Sequence, residues 1–115
     1  MNPERHVVVL DQDPMIRSLL ERWLNEAGYL VTQPESSATP ALVIADAPDP
    51  RSAETLIRSL QEYAAPIMIL SARFRRGLAG STEAARRLGV KRVLPKPFTR
   101  REFMTALRDA LKDGV

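Results

Sequence analysis

Five short runs of apolar residues, each ended by polar or turn-forming residues, alternate with helical patterns along the chain. Continuous, β-branched apolar runs of this length, bounded by turn residues, are typical of buried strands in a parallel sheet. The sequence therefore predicts five strands. They are HVVVL (6–10), YLVTQ (29–33), ALVIA (41–45), IMIL (67–70) and VKRVLP (90–95).

Apolar residues at helical spacing occupy four of the segments that separate or follow these runs. A first helix is predicted from Asp13 and Pro14, an N-cap acceptor followed by proline at the first helical position, to a stop at Gly28. Ser52 is expected to cap a second helix over 53–64. A short third helix is expected to run to Leu88, before Gly89. The T-x-x-E pattern of Thr99 and Glu102 predicts a capping box that opens the last helix.

The segment PESSATP (34–40) interrupts the alternation, because it is polar, contains two prolines and has no face that a helix could bury. The predicted order is β-α-β-β-α-β-α-β-α, an α/β fold with a doubly wound parallel sheet. A second helix that such folds normally carry is missing or replaced by a loop. We expect its loss to expose a sheet face near the first and third strands, unless the loop or a partner covers it.

Composition narrows the class of protein without identifying it. The chain has 115 residues, 44% hydrophobic and 27% charged, and we expect a single domain over 1–115. It has no cysteine, which excludes disulfide and thiolate chemistry. No apolar run approaches the roughly 18 residues of a membrane span, and the first residues do not resemble a signal peptide. A cytoplasmic location is therefore expected, with no membrane partner.

Four chemically active side chains lie at the carboxyl ends of predicted strands. Asp46 follows ALVIA, and Asp11, Ser71 and Lys96 end three other strands. The carboxyl ends of parallel strands share one edge of the sheet, which is where ligands bind in open α/β folds. Each residue alone could be a turn, cap or solvated loop residue. Together, they predict one site.

The sequence resembles the response-regulator receiver domain, the CheY-like family, over nearly its whole length. The resemblance lies in VVVLDQDPMIRSLLERWLNEAGY, LVIADAPDP, IMILSA and GVKRVLPKPF. It implies a flavodoxin-like five-stranded sheet in the order 2-1-3-4-5. It also implies a two-component signalling protein and no enzyme, and the sequence contains no Gly-rich phosphate loop, G-x-S-x-G or zinc motif.

The resemblance also implies a role for each site residue. Asp46 matches the aspartate that accepts a phosphoryl group from a sensor histidine kinase or phosphotransfer protein. Ser71 matches the switch hydroxyl, and Lys96 the lysine paired with the aspartate and the phosphoryl oxygens, followed by a bond that is usually cis. Asp11 matches an acidic residue that helps to hold Mg²⁺. The other expected ligands of Mg²⁺ are Asp46, Gln12 and the backbone carbonyl of Pro48.

Two residues depart from the family pattern at functional positions. Gln12 stands where a second acidic Mg²⁺ ligand is usual, and losing that charge costs roughly 2 kcal/mol, about 30-fold in metal affinity. Val93 stands where many relatives carry a switch aromatic. Two interpretations therefore remain open: a divergent receiver that is phosphorylated, and a phosphorylation-independent pseudo-receiver that acts as a protein-interaction scaffold.

Charge is distributed unevenly along the chain. Residues 1–72 contain five basic and ten acidic side chains, whereas residues 73–112 contain twelve basic and three acidic ones. The basic residues predict a positive surface on the last two helices and the fifth strand. In the family, which has five helices, this surface corresponds to the face formed by the fourth helix, the fifth strand and the fifth helix. An acidic protein partner, a homodimer and a simply solvated face are all compatible with it. Nucleic acid is a less favoured partner, because no recognition helix or aromatic platform accompanies the charge. The residues are Arg73, Arg75, Arg76, Arg86, Arg87, Lys91, Arg92, Arg100, Arg101 and Arg108.

The expected function is a phosphorylation-modulated interaction module. Asp46 would receive the phosphoryl group, and the signal would pass through Ser71 and Lys96 to the basic face. No output domain follows Val115, so we expect either a stand-alone regulator or a fragment of a longer protein.

Overall fold

A single parallel sheet of five strands forms the centre of the computed structural model, which describes residues 6–11, 13–32, 39–47, 50–71 and 85–111. The strand order is β2-β1-β3-β4-β5, as the resemblance implied. The strands are β1 (His6–Leu10), β2 (Leu30–Thr32), β3 (Leu42–Asp46), β4 (Ile67–Ser71) and β5 (Arg92–Pro95).

Helices pack on both faces of the sheet. They are α1 (Pro14–Glu26), α2 (Pro50–Leu60), a helical segment α3 (85–88) and α4 (Arg100–Leu111). A 3₁₀ turn, Gln61–Tyr63, follows α2. No helix among the described residues combines the length and hydrophobicity needed to cross a bilayer.

The helix signals in the sequence act largely as predicted. The Asp13 side chain accepts a hydrogen bond from the Met15 N–H at 2.9 Å and caps α1. Gly28 follows the end of that helix with a φ of 93°, a left-handed conformation that glycine adopts without strain. The reciprocal Thr99–Glu102 bonds, 2.8 and 3.0 Å, form the predicted capping box of α4.

Several predicted boundaries were wrong. Helix α2 ends at Leu60 and not at Ala64, because the 3₁₀ turn Gln61–Tyr63 follows it. Helix α2 begins at Pro50 and not near Ala53, so Ser52 lies inside the first turn and is not the N-cap. Proline is accepted there because the first helical N–H groups have no intrahelical partner. Strand β5 begins at Arg92 and not at Val90, since the Val90 N–H donates to the Ala85 carbonyl at 3.0 Å and closes α3.

The core has two layers, one on each side of the sheet. On one side, Leu20 and Leu24 of α1 and Phe103 of α4 pack on the sheet, and all three are fully buried. On the other side, Ala53 and Ile57 of α2 pack with Ala85 of α3. Alternate residues of each central strand enter opposite layers, which explains why the strands are apolar throughout.

The expected exposure of the sheet is not found at the first and third strands. Val8 and Val43, which lie on the α2 side of β1 and β3, are 2% and 0% exposed. Residues 39–41, between β2 and β3, are not helical, and 33–38 lie outside the described residues. Leu30 on edge strand β2 is paired in register with His6 and is 41% exposed. On the α2 side of the sheet, the exposed apolar residue is therefore Leu30 on edge strand β2, and the central strands β1 and β3 are covered.

Candidate functional site

Backbone hydrogen bonds of the sheet bring the candidate residues to one edge. In register, Asp46 of β3 lies opposite Leu70 of β4, and Ser71 lies opposite Pro95 of β5. Two further bonds extend the ladder: the Ala47 N–H donates to the Leu70 carbonyl and the Lys96 N–H donates to the Ser71 carbonyl, both at 2.9 Å. The sheet edge therefore holds Asp46, Ser71 and Lys96 on three neighbouring strands.

Lys96 is the centre of the site. Its Nζ lies 2.6 Å from Asp46 Oδ1 and donates a hydrogen bond to Asp11 Oδ2 at 3.2 Å. One ammonium group therefore bridges two carboxylates that come from β1 and β3, and it compensates their mutual repulsion. Burial opposes the charged ammonium, but the hydrogen bonds and the charges of Asp46 and Asp11 outweigh it and raise the pKa of Lys96 above its ordinary value.

The two carboxylates differ in their access to solvent. The Asp11 side chain is 2% exposed, and its Oδ1 accepts a hydrogen bond from the Asp13 N–H at 2.9 Å. The Asp46 side chain is 26% exposed, so a reactant can reach it from solvent. Asp11 is thus fixed from two sides, by Lys96 and by the turn into α1, whereas Asp46 is the more accessible of the two carboxylates.

The remaining predicted site residues have different fates. Ser71 is completely buried at the end of β4 and is tied to Lys96 through its carbonyl. Val93 is also completely buried and packs in the α2-side core, so it belongs to the interior and contributes nothing to a contact surface. The predictions for Gln12 and Pro48 lie outside the described residues.

The donor chemistry of the site suits Mg²⁺. The ion binds carboxylate oxygens, keeps several waters, and needs only one or two protein carboxylates when a phosphoryl group supplies further oxygens. Asp11 and Asp46 converge on one point and provide two such groups. Among the described residues no cluster of three metal-binding side chains occurs, and Asp13 is committed to capping α1. A dication here would be held by few protein ligands.

The predicted basic face is only partly a continuous surface. Six of the described basic residues of this face are exposed: Arg86, Arg87, Lys91, Arg100, Arg101 and Arg108. Arg92, in contrast, is half-buried and lies 4.0 Å from Asp109. Arg100 contacts Glu26 of α1 at 3.0 Å. The Arg100 contact was not anticipated, because the sequence does not show which side of α4 meets α1. The predictions for Arg73, Arg75 and Arg76 lie outside the described residues.

One feature that sequence analysis missed is an apolar concavity beside the site. It has a volume of about 300 Å³, and Leu19, one of the apolar residues at helical spacing in α1, is 37% exposed at its rim. Met15, one turn earlier on the same helix, is 81% exposed. The sequence did contain a signal for this concavity: α1 carries more apolar residues than the core buries. The lining residues are Ile16, Leu19, Leu20, Lys96, Pro97 and Phe98.

No protein-family model matches the sequence, and no curated protein matches it. Solved structures do match. A response regulator receiver protein from Burkholderia phymatum is 24% identical, with a TM-score of 0.67 over 92% of this chain and 94% of that one. The chemotaxis protein CheY4 of Vibrio cholerae is 18% identical, with a TM-score of 0.65 over 91% and 97%.

A third match holds a metal. The receiver domain of sensor histidine kinase PA1611 from Pseudomonas aeruginosa PAO1 is 23% identical, with a TM-score of 0.63 over 93% of this chain and 97% of that chain, and it has magnesium coordinated in its active-site cleft. These likenesses show that the chain has the flavodoxin-like fold of response-regulator receiver domains, as the sequence resemblance indicated. The Lys96–Pro97 peptide is cis, which agrees with the same resemblance.

Proposed function

We propose that this protein is a two-component receiver domain that accepts a phosphoryl group on Asp46. The observation that carries the proposal is the convergence of an accessible carboxylate, a bridging ammonium and a second, buried carboxylate at one sheet edge. The buried hydroxyl residue Ser71 ends the strand between those of Asp46 and Lys96. Such a set supplies a nucleophile, a cation and a hydrogen-bond donor, which phosphoryl transfer requires.

The proposed donor is the phosphohistidine of a sensor histidine kinase or phosphotransfer protein. An Asp46 carboxylate oxygen attacks the phosphorus, an O–P bond forms as the N–P bond breaks, and the imidazole leaves with the electron pair of that bond. Lys96 then pairs with a phosphoryl oxygen, where its charge stabilises the product. The hydroxyl of Ser71 donates a hydrogen bond to another phosphoryl oxygen.

Mg²⁺ is the proposed cofactor, held by Asp11 and Asp46, with Gln12 and the Pro48 carbonyl as further proposed ligands. When bound, the ion neutralises charge on the transferring phosphoryl group. The ammonium of Lys96 weakens the attraction of this site for a cation, because it already offsets one of the two carboxylate charges. We therefore expect weak Mg²⁺ binding, in line with the missing charge at Gln12.

The same contact favours a second candidate function. In a site whose carboxylates are bridged by Lys96 at 2.6 and 3.2 Å, much of the carboxylate repulsion is offset without any metal. A phosphorylation-independent pseudo-receiver that binds a partner in this state is the alternative. An acidic partner or a second copy of the chain would contact the exposed basic residues Arg86, Arg87, Lys91 and Arg101.

Mass spectrometry of the intact protein separates the two functions. Incubation with acetyl phosphate and excess Mg²⁺ should add one phosphoryl mass to the wild type, and Asp46→Asn should abolish the gain. Asp13→Asn is the matched control, since it changes a nearby exposed carboxylate, keeps a good N-cap and should preserve the gain. A wild type that gains no mass at saturating Mg²⁺ would refute phosphorylation and favour the scaffold.

A further inference from the structure

The site lysine continues directly into an aromatic cluster. Two residues after Lys96, the Phe98 ring contacts Trp23 of α1 edge-on, with centroids 6.4 Å apart, and stacks on Phe103 of α4 at 6.0 Å. Trp23 and Phe103 are themselves 5.7 Å apart. If Lys96 moves, Phe98 moves with it, because only Pro97 separates them in the chain. The Phe98 ring contacts both α1 and α4.

The opposite end of the same segment is tied to the switch hydroxyl residue. The Ser71 carbonyl accepts the Lys96 N–H at 2.9 Å, so movement of either backbone is transmitted to the other. Val93, by contrast, is a small, fully buried side chain with no ring that could swing between inward and outward positions. Among the described residues, the rings that lie near Lys96 are therefore on the α1 side of the sheet and not at position 93.

The aromatic cluster borders the apolar concavity described above, which Phe98 and Pro97 line together with residues of α1. The 3.0 Å ion pair between Arg100 and Glu26 further joins the start of α4 to the end of α1. A shift of the Phe98 ring would thus change the shape of the apolar concavity, whose rim is already exposed at Leu19.

We propose that Phe98 is a positioning residue that couples the chemical state of Asp46 to the apolar concavity, through Lys96 on one side and Trp23 on the other. The proposal rests on the proposed function. A phosphoryl group carries more negative charge than the carboxylate it modifies, and it lies farther from the sheet, so it draws the Lys96 ammonium outward. Phe98 moves with that segment, and its contact with Trp23 changes.

Trp23 is the one tryptophan of the chain, so its emission reports on this contact without interference. Wild-type protein treated with acetyl phosphate and Mg²⁺ should change its emission in proportion to the phosphorylated fraction measured by intact mass. Phe98→Leu should gain the same mass but lose most of the emission change, and Phe98→Tyr should restore it. Tyr63→Leu, which removes a ring from the opposite core layer, is the matched control and should behave like the wild type.

Two results would overturn the coupling: unchanged emission in phosphorylated wild type, or an undiminished change in Phe98→Leu. Far-UV circular dichroism checks that the variants fold, and the wild-type result stands without them. If the wild type gains no mass, the proposed function fails. The coupling from Lys96 through Phe98 to Trp23 is then tested in the unphosphorylated protein. Lys96→Gln should then shift Trp23 emission, with the shift lost in the double variant with Phe98→Leu. Identical emission from wild type and Lys96→Gln would refute it.

Discussion

Replacing Lys96 by methionine removes the bridging ammonium while keeping a side chain of similar length. The variant leaves the Asp11 and Asp46 carboxylates facing one another without a counterion. Both oxygens contact the same nitrogen in the wild type, at 3.2 and 2.6 Å, so they are at most about 6 Å apart. We expect Lys96→Met to destabilise the metal-free protein and to increase its affinity for Mg²⁺.

The magnitude follows from the burial of the three groups. Two like charges about 6 Å apart repel by roughly 3 kcal/mol at an effective dielectric constant of about 20. Removing one partner of a fully buried ion pair costs about 3–5 kcal/mol. Because the Lys96 and Asp46 side chains are 20% and 26% exposed, we expect a smaller loss, about 2 kcal/mol in the free energy of unfolding at neutral pH. That loss corresponds to about 30-fold in an equilibrium constant.

Urea unfolding in EDTA and in a series of Mg²⁺ concentrations measures both effects. In EDTA the variant should be less stable than the wild type, and the difference should shrink as Mg²⁺ rises, because the dication replaces the lost charge. Lys91→Met is the matched control. Lys91 is an exposed lysine in the turn before β5, and its replacement should change the free energy of unfolding by less than about 0.5 kcal/mol.

Two outcomes would contradict the electrostatic reasoning. One is a Lys96→Met variant as stable as Lys91→Met in EDTA, which would mean that the ammonium contributes no net stabilisation. The other is equal stabilisation of variant and wild type by Mg²⁺, which would mean that the ion does not bind between Asp11 and Asp46.

Three further predictions address other parts of the molecule. Gln12→Asp should tighten Mg²⁺ binding by about 30-fold in calorimetric titration, and an unchanged affinity would remove Gln12 from the ligand set. Phe103→Ala should lower the free energy of unfolding by about 3–5 kcal/mol in urea, because Phe103 is the fully buried member of the aromatic cluster; a loss below about 1 kcal/mol would contradict this packing. Because the pKa of Lys96 is raised on folding, its stabilisation should be complete below the unfolded pKa of about 10.4 and be lost as pH rises through the higher folded pKa. As the pH rises from neutrality, metal-free wild type should therefore keep its stability advantage over Lys96→Met until strongly alkaline pH, and a loss near neutrality would refute the shift.

Local signals in the sequence predicted most of the fold, because each acts over a few residues. The Asp13 cap and the Thr99–Glu102 capping box are contacts within one helical turn, and both are present. The strand order, in contrast, came from the family resemblance. The start of α2 was mispredicted because Pro50 and Ser52 are both acceptable at a helix N-terminus, and local preference alone does not choose between them.

Contacts between distant elements were harder to predict. Strand ends placed Asp46, Ser71 and Lys96 at one edge, but the bridge from Lys96 to Asp11 depends on side-chain direction, which a linear pattern does not contain. The same limit applies to Leu19, whose helical position suits the core although its side chain lies at the rim of a concavity. Such details depend on how far apart two helices pack, which is a property of the whole core.

The ladder bonds that end at Ala47 and Lys96 join main-chain atoms only, so the backbone spacing of Asp46, Ser71 and Lys96 does not depend on which apolar side chains fill the interior. Interior residues can therefore be exchanged during evolution, provided that volume and hydrophobicity persist, without moving the chemistry at the rim. This freedom accounts for a fold shared with solved structures of which fewer than one residue in four is identical.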